Sequence, residues 1–561
     1  MGETGADLFL AALERYGVTT FFGNPGTTEL PVVDALSGTD IEYVLGLHED
    51  VAVGMAAGYA STHRQHADAG RDVLPLGVVN LHVAPGLAHG LGNLYGARFA
   101  GAPLLVTAGN YGTDFQHEEP ILHGDLESMA RQFTKWSAEV KHVDALPTMV
   151  RRAVRVALTP PTGPVFLGLP VDVMTAETDR EPERLGAIPN AGGGDPEQVE
   201  AAAAAVAGAD EPVFVLGDAV ARSGTDAVES ATRLAEVSGA RVHGEYITSE
   251  VNMPTGHEQW VSSLSGNADA VADLLGGADV LLLAGRSTDT DAFKHATDRL
   301  PHEATLIHVS DDAWQVGKNE PADVAVVGDP GLVLGSMADR VGERVDDAER
   351  ERRLERVREV ARRVGATGGD AREPDDGPAT KTQLARALRE ATDDSLIVNE
   401  GVTSGAAVRR EVPFEANGYL SNKSGGLGYG LPAAVGAAIA ETEARGEDGR
   451  DVIGFVGDGS YLYYPQTLYS AARYGVDLTV VVANNRNYRI LKDNTLRLLG
   501  GEEDDYEFTG MDFDPAVDFV HNAESHGATG RRVDSPTGIA ATVRDAIAEA
   551  GPVVVDVPIR D

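Results

Sequence analysis

Short apolar runs rich in Val, Leu and Ile alternate with alanine-rich helical stretches along nearly the whole chain. The clearest runs are Leu76–Val79, Leu104–Ala108, Val213–Leu216, Val280–Ala284, Leu306–Val309, Val452–Val456, Leu478–Ala483 and Val553–Val557. Continuous apolar strands separated by helices are typical of parallel sheets that are covered by helices on both faces. We therefore predict an α/β protein made of doubly wound parallel sheets.

Two stretches interrupt this series. The first, Thr175–Gln198, is rich in proline, glycine and charge. The second begins with a highly charged helical segment, Asp346–Val364, and continues through Gly365–Thr380. Neither stretch can bury enough apolar surface to join a core, so both are predicted to connect domains. They leave three α/β domains at residues 1–175, 195–340 and 380–561, with a charged helix and linker at 341–379.

The composition excludes several classes of protein. The 561 residues include no cysteine, which excludes a disulfide scaffold, a thiolate zinc site and a cysteine nucleophile. Lys and Arg number 46 against 87 Asp and Glu, and the resulting net charge of −41 repels nucleic acid. Such acidity, spread along the chain, is typical of a halophile's protein, in which salt screens the self-repulsion.

No apolar run approaches the roughly 20 residues that a membrane helix requires. The first residues, Met1–Arg15, lack a basic segment followed by an apolar core, which a secretory signal would show. We expect a cytoplasmic protein that binds neither membranes nor nucleic acid.

In the third predicted domain, two strands end in polar turns. The strand Val452–Val456 leads into Gly457-Asp458-Gly459-Ser460, and the strand Leu478–Ala483 leads into Asn484-Asn485-Arg486-Asn487. One helix fits between the two turns, so Asp458 and Asn485 can emerge at the same carboxyl edge of a parallel sheet. Carboxylate and amide oxygens, together with a backbone carbonyl and diphosphate oxygens, suit the octahedral coordination of Mg²⁺.

This pair of motifs resembles the GDG and NN signature of thiamine-diphosphate enzymes. Five further stretches extend the resemblance in the same order, namely FGNPGTTELP (Phe22–Pro31), LHEDVAVGMAAGYA (Leu47–Ala60), NLHVAPG (Asn80–Gly86), PLLVTAGN (Pro103–Asn110) and SGGLGYGLPAAVGAA (Ser424–Ala438). The chain is thus similar to the thiamine-diphosphate 2-oxoacid decarboxylase and acetohydroxyacid synthase superfamily, most of all to benzoylformate decarboxylase. The resemblance implies an N-terminal pyrimidine-binding domain, a central domain and a C-terminal diphosphate- and Mg-binding domain.

The resemblance also assigns cofactor contacts. Glu49 matches the glutamate that hydrogen-bonds the pyrimidine N1′ and promotes loss of the C2 proton, although a first-turn residue stabilised by the helix dipole is an alternative. Leu427 matches the bulky residue beneath the bent cofactor, and Gly425 matches the glycine whose carbonyl meets the 4′-amino group. The other implied contacts are Asn24, Pro25, Gly26, Thr403, Gly457, Asp458, Gly459, Ser460, Asn485, Asn487 and Tyr488. Mg²⁺ would bind Asp458, Asn485 and the main-chain carbonyl of Asn487.

The substrate contacts follow the same resemblance. His82 matches an active-site histidine and is the candidate acid, base or substrate contact. Thr27 takes the position of a serine that contacts the substrate carboxylate, and Leu122, Ile490 and Leu491 are implied to line the substrate pocket. A second histidine of the relatives has no match, because the corresponding central-domain stretch offers only His295, several positions away. His123 is an alternative, or simply an exposed loop residue.

Within the superfamily, the residues favour non-oxidative decarboxylation. A pyruvate decarboxylase of the yeast type would place a glutamate where this chain has Ile490 and Leu491. An acetohydroxyacid synthase would show a tryptophan-containing loop there and an FAD-contacting Arg-Phe-Asp-Asp segment, whereas Arg286 is followed by Ser-Thr-Asp. We predict thiamine-diphosphate- and Mg-dependent decarboxylation of a benzoylformate-like or branched 2-oxo acid, through C2 ylide addition and an enamine, without FAD. An acetolactate synthase-like carboligase and a non-catalytic cofactor-binding relative are the alternatives.

The resemblance further implies a shared site. Glu49 of one subunit would reach a cofactor whose metal is held by Asp458 of its partner. A homodimer is then the minimum catalytic unit, and a homotetramer is expected.

Overall fold

The structure is a computed structural model that describes residues 3–286, 299–366 and 377–561. These residues form two compact units. The first comprises residues 3–188, 377–412 and 424–561, and the second comprises 189–286, 299–366 and 413–423.

The N-terminal part of the first unit is a parallel sheet with the strand order β3-β2-β4-β5-β7-β6. A short antiparallel pair, β1 with β8, lies outside this sheet. The strands are β1 Glu3–Thr4, β2 Thr20–Gly23, β3 Glu42–Leu45, β4 Gly77–Leu81, β5 Leu104–Asn110, β6 Ser137–Glu139, β7 Val165–Pro170 and β8 Glu177–Thr178. The helices are α1 Gly5–Tyr16, α2 Leu30–Ala35, α3 Glu49–Asp68, α4 Val83–His89, α5 Leu91–Ala100, α6 Leu126–Arg131, α7 Leu146–Leu158 and α8 Val171–Thr175.

The second unit contains another parallel sheet, with the order β11-β10-β9-β12-β13-β14. Its strands are β9 Pro212–Leu216, β10 Arg241–Gly244, β11 Trp260–Ser263, β12 Val280–Ala284, β13 Thr305–Ser310 and β14 Val324–Val327. Its helices are α9 Pro196–Gly208, α10 Ala219–Arg222, α11 Thr225–Ser238, α12 Ala268–Leu275, α13 Pro330–Gly342 and α14 Asp347–Ala366. The predicted charged helix therefore forms, whereas part of the linker after it and His295 lie outside the described residues.

The C-terminal part of the first unit holds a third parallel sheet, in which the strands run β15-β17-β18-β20-β19. The strands are β15 Leu396–Glu400, β17 Val452–Gly457, β18 Leu478–Asn484, β19 Thr529–Arg532 and β20 Pro552–Pro558, and β16 Tyr419–Ser421 belongs to the segment counted with the second unit. The helices are α15 Lys381–Ala391, α16 Gly405–Glu411, α17 Gly430–Arg445, α18 Asp458–Tyr461, α19 Thr467–Arg473, α20 Arg489–Leu499, α21 Phe519–Ser525 and α22 Ile539–Ile547. The predicted fold class is confirmed, because each domain is an α/β layer built on a parallel sheet.

The two halves of the first unit meet along α3 and α17, both of which are buried along most of their length. Two glycines permit this close approach. A Cβ added to Gly58 would lie 2.0 Å from the carbonyl oxygen of Ala433, and one added to Gly436 would lie 1.9 Å from that of Met55. Neither position can accept a side chain unless the helices move apart.

A buried ion cluster lies near the C-terminal end of the same helix pair. Glu441 of α17 is 1% exposed, and its Oε1 lies 3.1 Å from His66 Nε2 of α3. The Arg450 guanidinium donates to the same oxygen through Nε at 2.9 Å. Burial raises the pKa of Glu441, but the hydrogen bonds from His66 and Arg450 and the charge of Arg450 outweigh it and lower the pKa to about 2. The carboxylate is therefore charged and paired at neutral pH.

None of the described helices combines the length and the apolar character that crossing a bilayer requires.

We predict that Glu441→Gln lowers the free energy of unfolding by about 3 kcal/mol at pH 7, because the variant leaves the buried Arg450 charge without its carboxylate. Urea denaturation in molar KCl measures this loss. Because the pKa of Glu441 in the folded protein lies below the ordinary glutamate value of 4.5, the stability advantage of the wild type should be complete above pH 4.5 and should fade as the pH falls toward 2.

Asp545→Asn is the matched control for this prediction, since Asp545 is an exposed carboxylate on α22. Equal stability of the Glu441→Gln variant and this control at pH 7 would show that the cluster does not hold the helices together.

Candidate active site

Two turns of the C-terminal sheet meet around one cavity. Strands β17 and β18 are parallel neighbours in which Val456 pairs with Val482 and Gly457 pairs with Ala483. Their carboxyl ends, and the turns that follow them, therefore lie side by side. The cavity between them is partly open to solvent and is lined by Val402, Thr403, Ser404, Leu427, Gly457, Asp458, Gly459, Ser460, Ala483, Asn485, Asn487, Tyr488, Arg489, Ile490 and Ile559. The structure thus brings together most of the cofactor and metal contacts that the sequence predicts for this domain.

Asp458 is the buried acid of this cavity, with 3% of its surface exposed. Its Oδ1 accepts a hydrogen bond of 2.8 Å from the amide of Gly459, and its Oδ2 accepts one of 2.5 Å from the amide of Arg486. Arg486 has a φ of 58°, a left-handed conformation that is uncommon outside glycine and that recurs at functional sites. Burial raises the pKa of Asp458 to about 6, although the backbone hydrogen bonds oppose this change.

The two asparagines of the second turn are oriented by Asp561. Asn485 Nδ2 donates to Asp561 Oδ1 at 2.6 Å, and Asn487 Nδ2 donates to Asp561 Oδ2 at 3.0 Å. Because these bonds fix Nδ2 of each asparagine as the donor toward Asp561, the amide oxygens point elsewhere and can act as hydrogen-bond acceptors or metal ligands. The Oδ1 of Asn487 is buried and has no hydrogen-bond partner among the described residues. A buried carboxylate beside amide oxygens of this kind fits a hard divalent cation.

Glu400 organises the loop that carries Leu427. The carboxylate is buried at the end of β15 and accepts from the amides of Gly428, Tyr429 and Gly430 at 3.2, 3.1 and 3.0 Å. These amides open α17, so the negative charge also faces the positive end of the helix dipole. Leu427 is thereby held at the cavity wall, whereas Gly425 is not among the lining residues.

Glu49 begins α3 on the N-terminal sheet. Its side chain is 10% exposed, and Oε2 lies 3.2 Å from His89 Nδ1. A Cβ on Gly86 would lie 3.0 Å from Glu49 Oε1, so that glycine leaves space beside the second oxygen. The structure is compatible with both predicted roles of Glu49. It stands in the first turn of a helix, as the helix-dipole interpretation requires, and its carboxyl group is nearly buried, as a cofactor contact would be.

His82 lies between β4 and α4, at the N-cap position of that helix. Its Nδ1 lies 2.7 Å from Oε2 of Glu29, a residue that follows the predicted contacts Asn24, Pro25, Gly26 and Thr27. A Cβ on Gly26 would lie 2.1 Å from the same ring nitrogen. The structure therefore brings the predicted NPGT segment and the predicted histidine together.

Several other predicted site residues do not line the Asp458 cavity. Glu49, His82 and residues 24–27 do not line the cavity that surrounds Asp458 in the same chain. Leu122 and Leu491 are 41% and 44% exposed, and Leu491 does not line the cavity although Ile490 does. His123 is an exposed loop residue, as its alternative interpretation supposed.

Four residues of the site escaped the sequence analysis, namely Glu29, His89, Glu400 and Asp561. Glu29 lies within a stretch that matched the superfamily, and Glu400 comes two residues after the short apolar run Leu396–Val398, so both carried a usable signal. His89 and Asp561 carried none, because only the folded chain places them beside Glu49 and the asparagines.

Comparisons with known proteins agree with this geometry. Three family models match the chain: the thiamine pyrophosphate enzyme N-terminal TPP binding domain at residues 3–134, the central domain at 199–337 and the C-terminal TPP binding domain at 403–557. Benzoylformate decarboxylase from Pseudomonas aeruginosa is 31% identical over 97% of this chain and 97% of its own. A probable acetolactate synthase large subunit from Methanocaldococcus jannaschii is 27% identical over 99% of this chain and 92% of its own.

Solved structures give the same result. The thiamine diphosphate-dependent 4-hydroxybenzoylformate decarboxylase of Rhodococcus jostii RHA1 superposes with a TM-score of 0.85 and 29% identity over 99% of both chains.

We predict that Glu400→Gln loosens the Leu427 loop, because one amide oxygen must replace two carboxylate oxygens that accept from three amides. Hydrogen exchange at Gly428–Gly430 should accelerate at least about tenfold, and the unfolding free energy should fall by about 1–3 kcal/mol. Mass-spectrometric exchange on the intact protein measures the first effect. Glu524→Gln, at an exposed site on α21, is the control, and exchange in Glu400→Gln no faster than in this control would contradict the assignment.

Proposed function

Because the chain belongs to the thiamine pyrophosphate enzyme family, we propose that it catalyses the Mg-dependent, non-oxidative decarboxylation of a 2-oxo acid with an aromatic or branched side chain. The observation that supports this best is the cavity in which Asp458, Asn485 and Leu427 face one space. The full-length similarity to benzoylformate decarboxylase supports the substrate class.

Thiamine diphosphate, when bound, supplies an acidic C2 carbon and an electron sink for the departing CO₂. For this cofactor, Asp458, Asn485 and the main-chain carbonyl of Asn487 would hold Mg²⁺, and the magnesium would bind the diphosphate. The Thr403 hydroxyl and the Gly459 amide at the cavity wall are donors for its oxygens. Leu427 would support the rings from below.

Glu49 would hydrogen-bond the pyrimidine N1′ through the oxygen that His89 leaves available. Since Glu49 does not line the Asp458 cavity of its own chain, the proposal assigns it to the cofactor of a partner subunit. A homodimer is then the smallest active species, and we propose a homotetramer.

Thr27 would bind the substrate carboxylate, and His82 would exchange a proton with the reacting carbon. Ile490, Leu491 and Leu122 would form an apolar wall that solvates the substrate carboxylate poorly and so favours loss of CO₂. The second candidate is an acetolactate-forming carboligase, which the acetolactate synthase relative supports. A cofactor-binding protein without catalysis is the third, and it is disfavoured because Glu49 and the metal ligands are all retained.

We predict that Glu49→Gln retains cofactor binding and loses turnover. In molar KCl with thiamine diphosphate and Mg²⁺, its thermal shift should match that of wild type, while CO₂ release from benzoylformate should fall at least about 100-fold. Asp458→Asn should instead lose the thermal shift itself, because the metal loses its one carboxylate. If wild type binds the cofactor and turns over no 2-oxo acid, the enzymatic proposal fails.

We predict that Leu491→Glu lowers kcat/KM for benzoylformate and branched 2-oxo acids at least about tenfold more than for pyruvate, because a carboxylate beside an apolar group is poorly solvated. Aldehyde and acetolactate are measured together, so the carboligase alternative is tested at once. Leu498→Glu, at a 66% exposed position on the same helix, is the control. An equal loss on all substrates would place Leu491 outside the pocket.

A further inference from the structure

We propose that Glu29 is the positioning residue of His82: its buried carboxylate holds Nδ1–H of the imidazole and leaves Nε2 as the nitrogen that exchanges protons with the substrate. This inference rests on the proposed function, because it deepens the part played by His82.

The carboxylate of Glu29 is buried, and both of its oxygens have hydrogen-bond partners. Its side chain is 0% exposed, and its Oε2 lies 2.7 Å from His82 Nδ1. Its Oε1 accepts from the Gly109 amide at 2.9 Å and from the Thr28 hydroxyl at 2.7 Å. An enclosed carboxylate is tolerated only with such partners, and these three satisfy both oxygens.

This contact decides which nitrogen of His82 carries the proton. An ionised carboxylate can only accept hydrogen bonds, so Nδ1 must be the donor. Thr28 does not compete for that nitrogen, because its hydroxyl lies 3.4 Å away and is already directed to Glu29. In the neutral ring Nε2 is then unprotonated, and the side chain retains 23% exposure through which it can act.

The ring is also clamped by the backbone around it. His82 Nδ1 occupies the space that a Cβ on Gly26 would need, at 2.1 Å. Val83, the next residue, has a φ of 33° although it is β-branched and 1% exposed. A β-branched residue rarely adopts this conformation, and it persists only where the surrounding structure enforces it. The turn that sets the direction of the His82 side chain is therefore held under strain by its packing.

The proton transfer balances without any change at Glu29. With both nitrogens protonated, His82 would give its Nε2 proton to the carbon that has lost CO₂ and become neutral, while the proton on Nδ1 stays on the ring and remains hydrogen-bonded to Glu29. Water then returns a proton to Nε2. The carboxylate stays ionised throughout, so Glu29 acts through His82 and does not itself exchange a proton with the substrate.

The test compares Glu29→Gln, His82→Ala and the double variant as holoenzymes. For Glu29→Gln we expect kcat on benzoylformate to fall at least about 100-fold, KM to change less than about threefold and the pH profile of kcat to change. The double variant should be no slower than His82→Ala, since the carboxylate has no partner left to position. If the two losses multiply, Glu29 acts independently of His82 and the inference is overturned. Glu42→Gln, at an exposed position of the same sheet, is the control.

A second measurement needs no turnover. The ¹⁵N shifts of selectively labelled histidines report the tautomer, and we expect Nδ1–H at His82 in wild type and its loss in Glu29→Gln. Nε2–H in wild type, or unchanged shifts in the variant, would overturn the pairing even if the enzyme decarboxylates 2-oxo acids. Conversely, Nδ1–H in a protein that turns over no 2-oxo acid would remove the proposed function and leave the pairing intact.

Should Glu29→Gln fold poorly, Glu29→Asp keeps the charge and draws it back by one methylene. It should preserve Nδ1–H and lower kcat. A kcat equal to that of wild type would show that the position of the carboxylate does not matter, which contradicts the inference.

Discussion

The parallel pairing of β17 with β18 is the constraint on which the candidate site depends. Its register runs from Ile453 opposite Thr479 to Gly457 opposite Ala483, and both strands are almost wholly buried. A slip of one residue would turn every side chain to the opposite face of the sheet and separate the two polar turns. Because both faces are covered by packed helices, burial of the apolar side chains itself keeps Asp458 next to Asn485.

Two buried carboxylates of the first unit, Glu441 between the helices and Asp458 in the cavity, differ in their partners and in the direction of their pKa shifts. Glu441 has a guanidinium and an imidazole as partners, and its pKa falls to about 2. Asp458 has backbone amides as hydrogen-bond partners, and burial raises its pKa to about 6. The chain thus supplies a counter-charge to the carboxylate that joins two helices, whereas the cavity carboxylate accepts from neutral backbone amides, which fits the divalent cation proposed for this cavity.

Much of this arrangement was readable from the sequence because its determinants are local. The apolar runs predict the sheets, and the run at Val280–Ala284 coincides with its strand. Asp458 and Asn485 follow strands directly, so their meeting at one sheet edge follows from topology. Glu29 and Asp561 could not be found in that way, because their partners are distant in the chain and are chosen by the folded loops. The strained turn at Val83 is equally invisible, since a valine after a strand predicts nothing unusual.

The glutamate, histidine and arginine cluster between α3 and α17 has a consequence for the medium in which the molecule works. Electrolyte shields charges that lie in water within a few ångströms, but it penetrates little between groups enclosed by protein. At high salt the repulsion among the charges of a chain with a net charge of −41 is strongly screened. The ion pair between Glu441 and Arg450 is buried, so salt weakens it much less. We therefore expect dilution to destabilise the fold, because it restores the repulsion among the surface carboxylates and does not strengthen the buried ion cluster that opposes this repulsion.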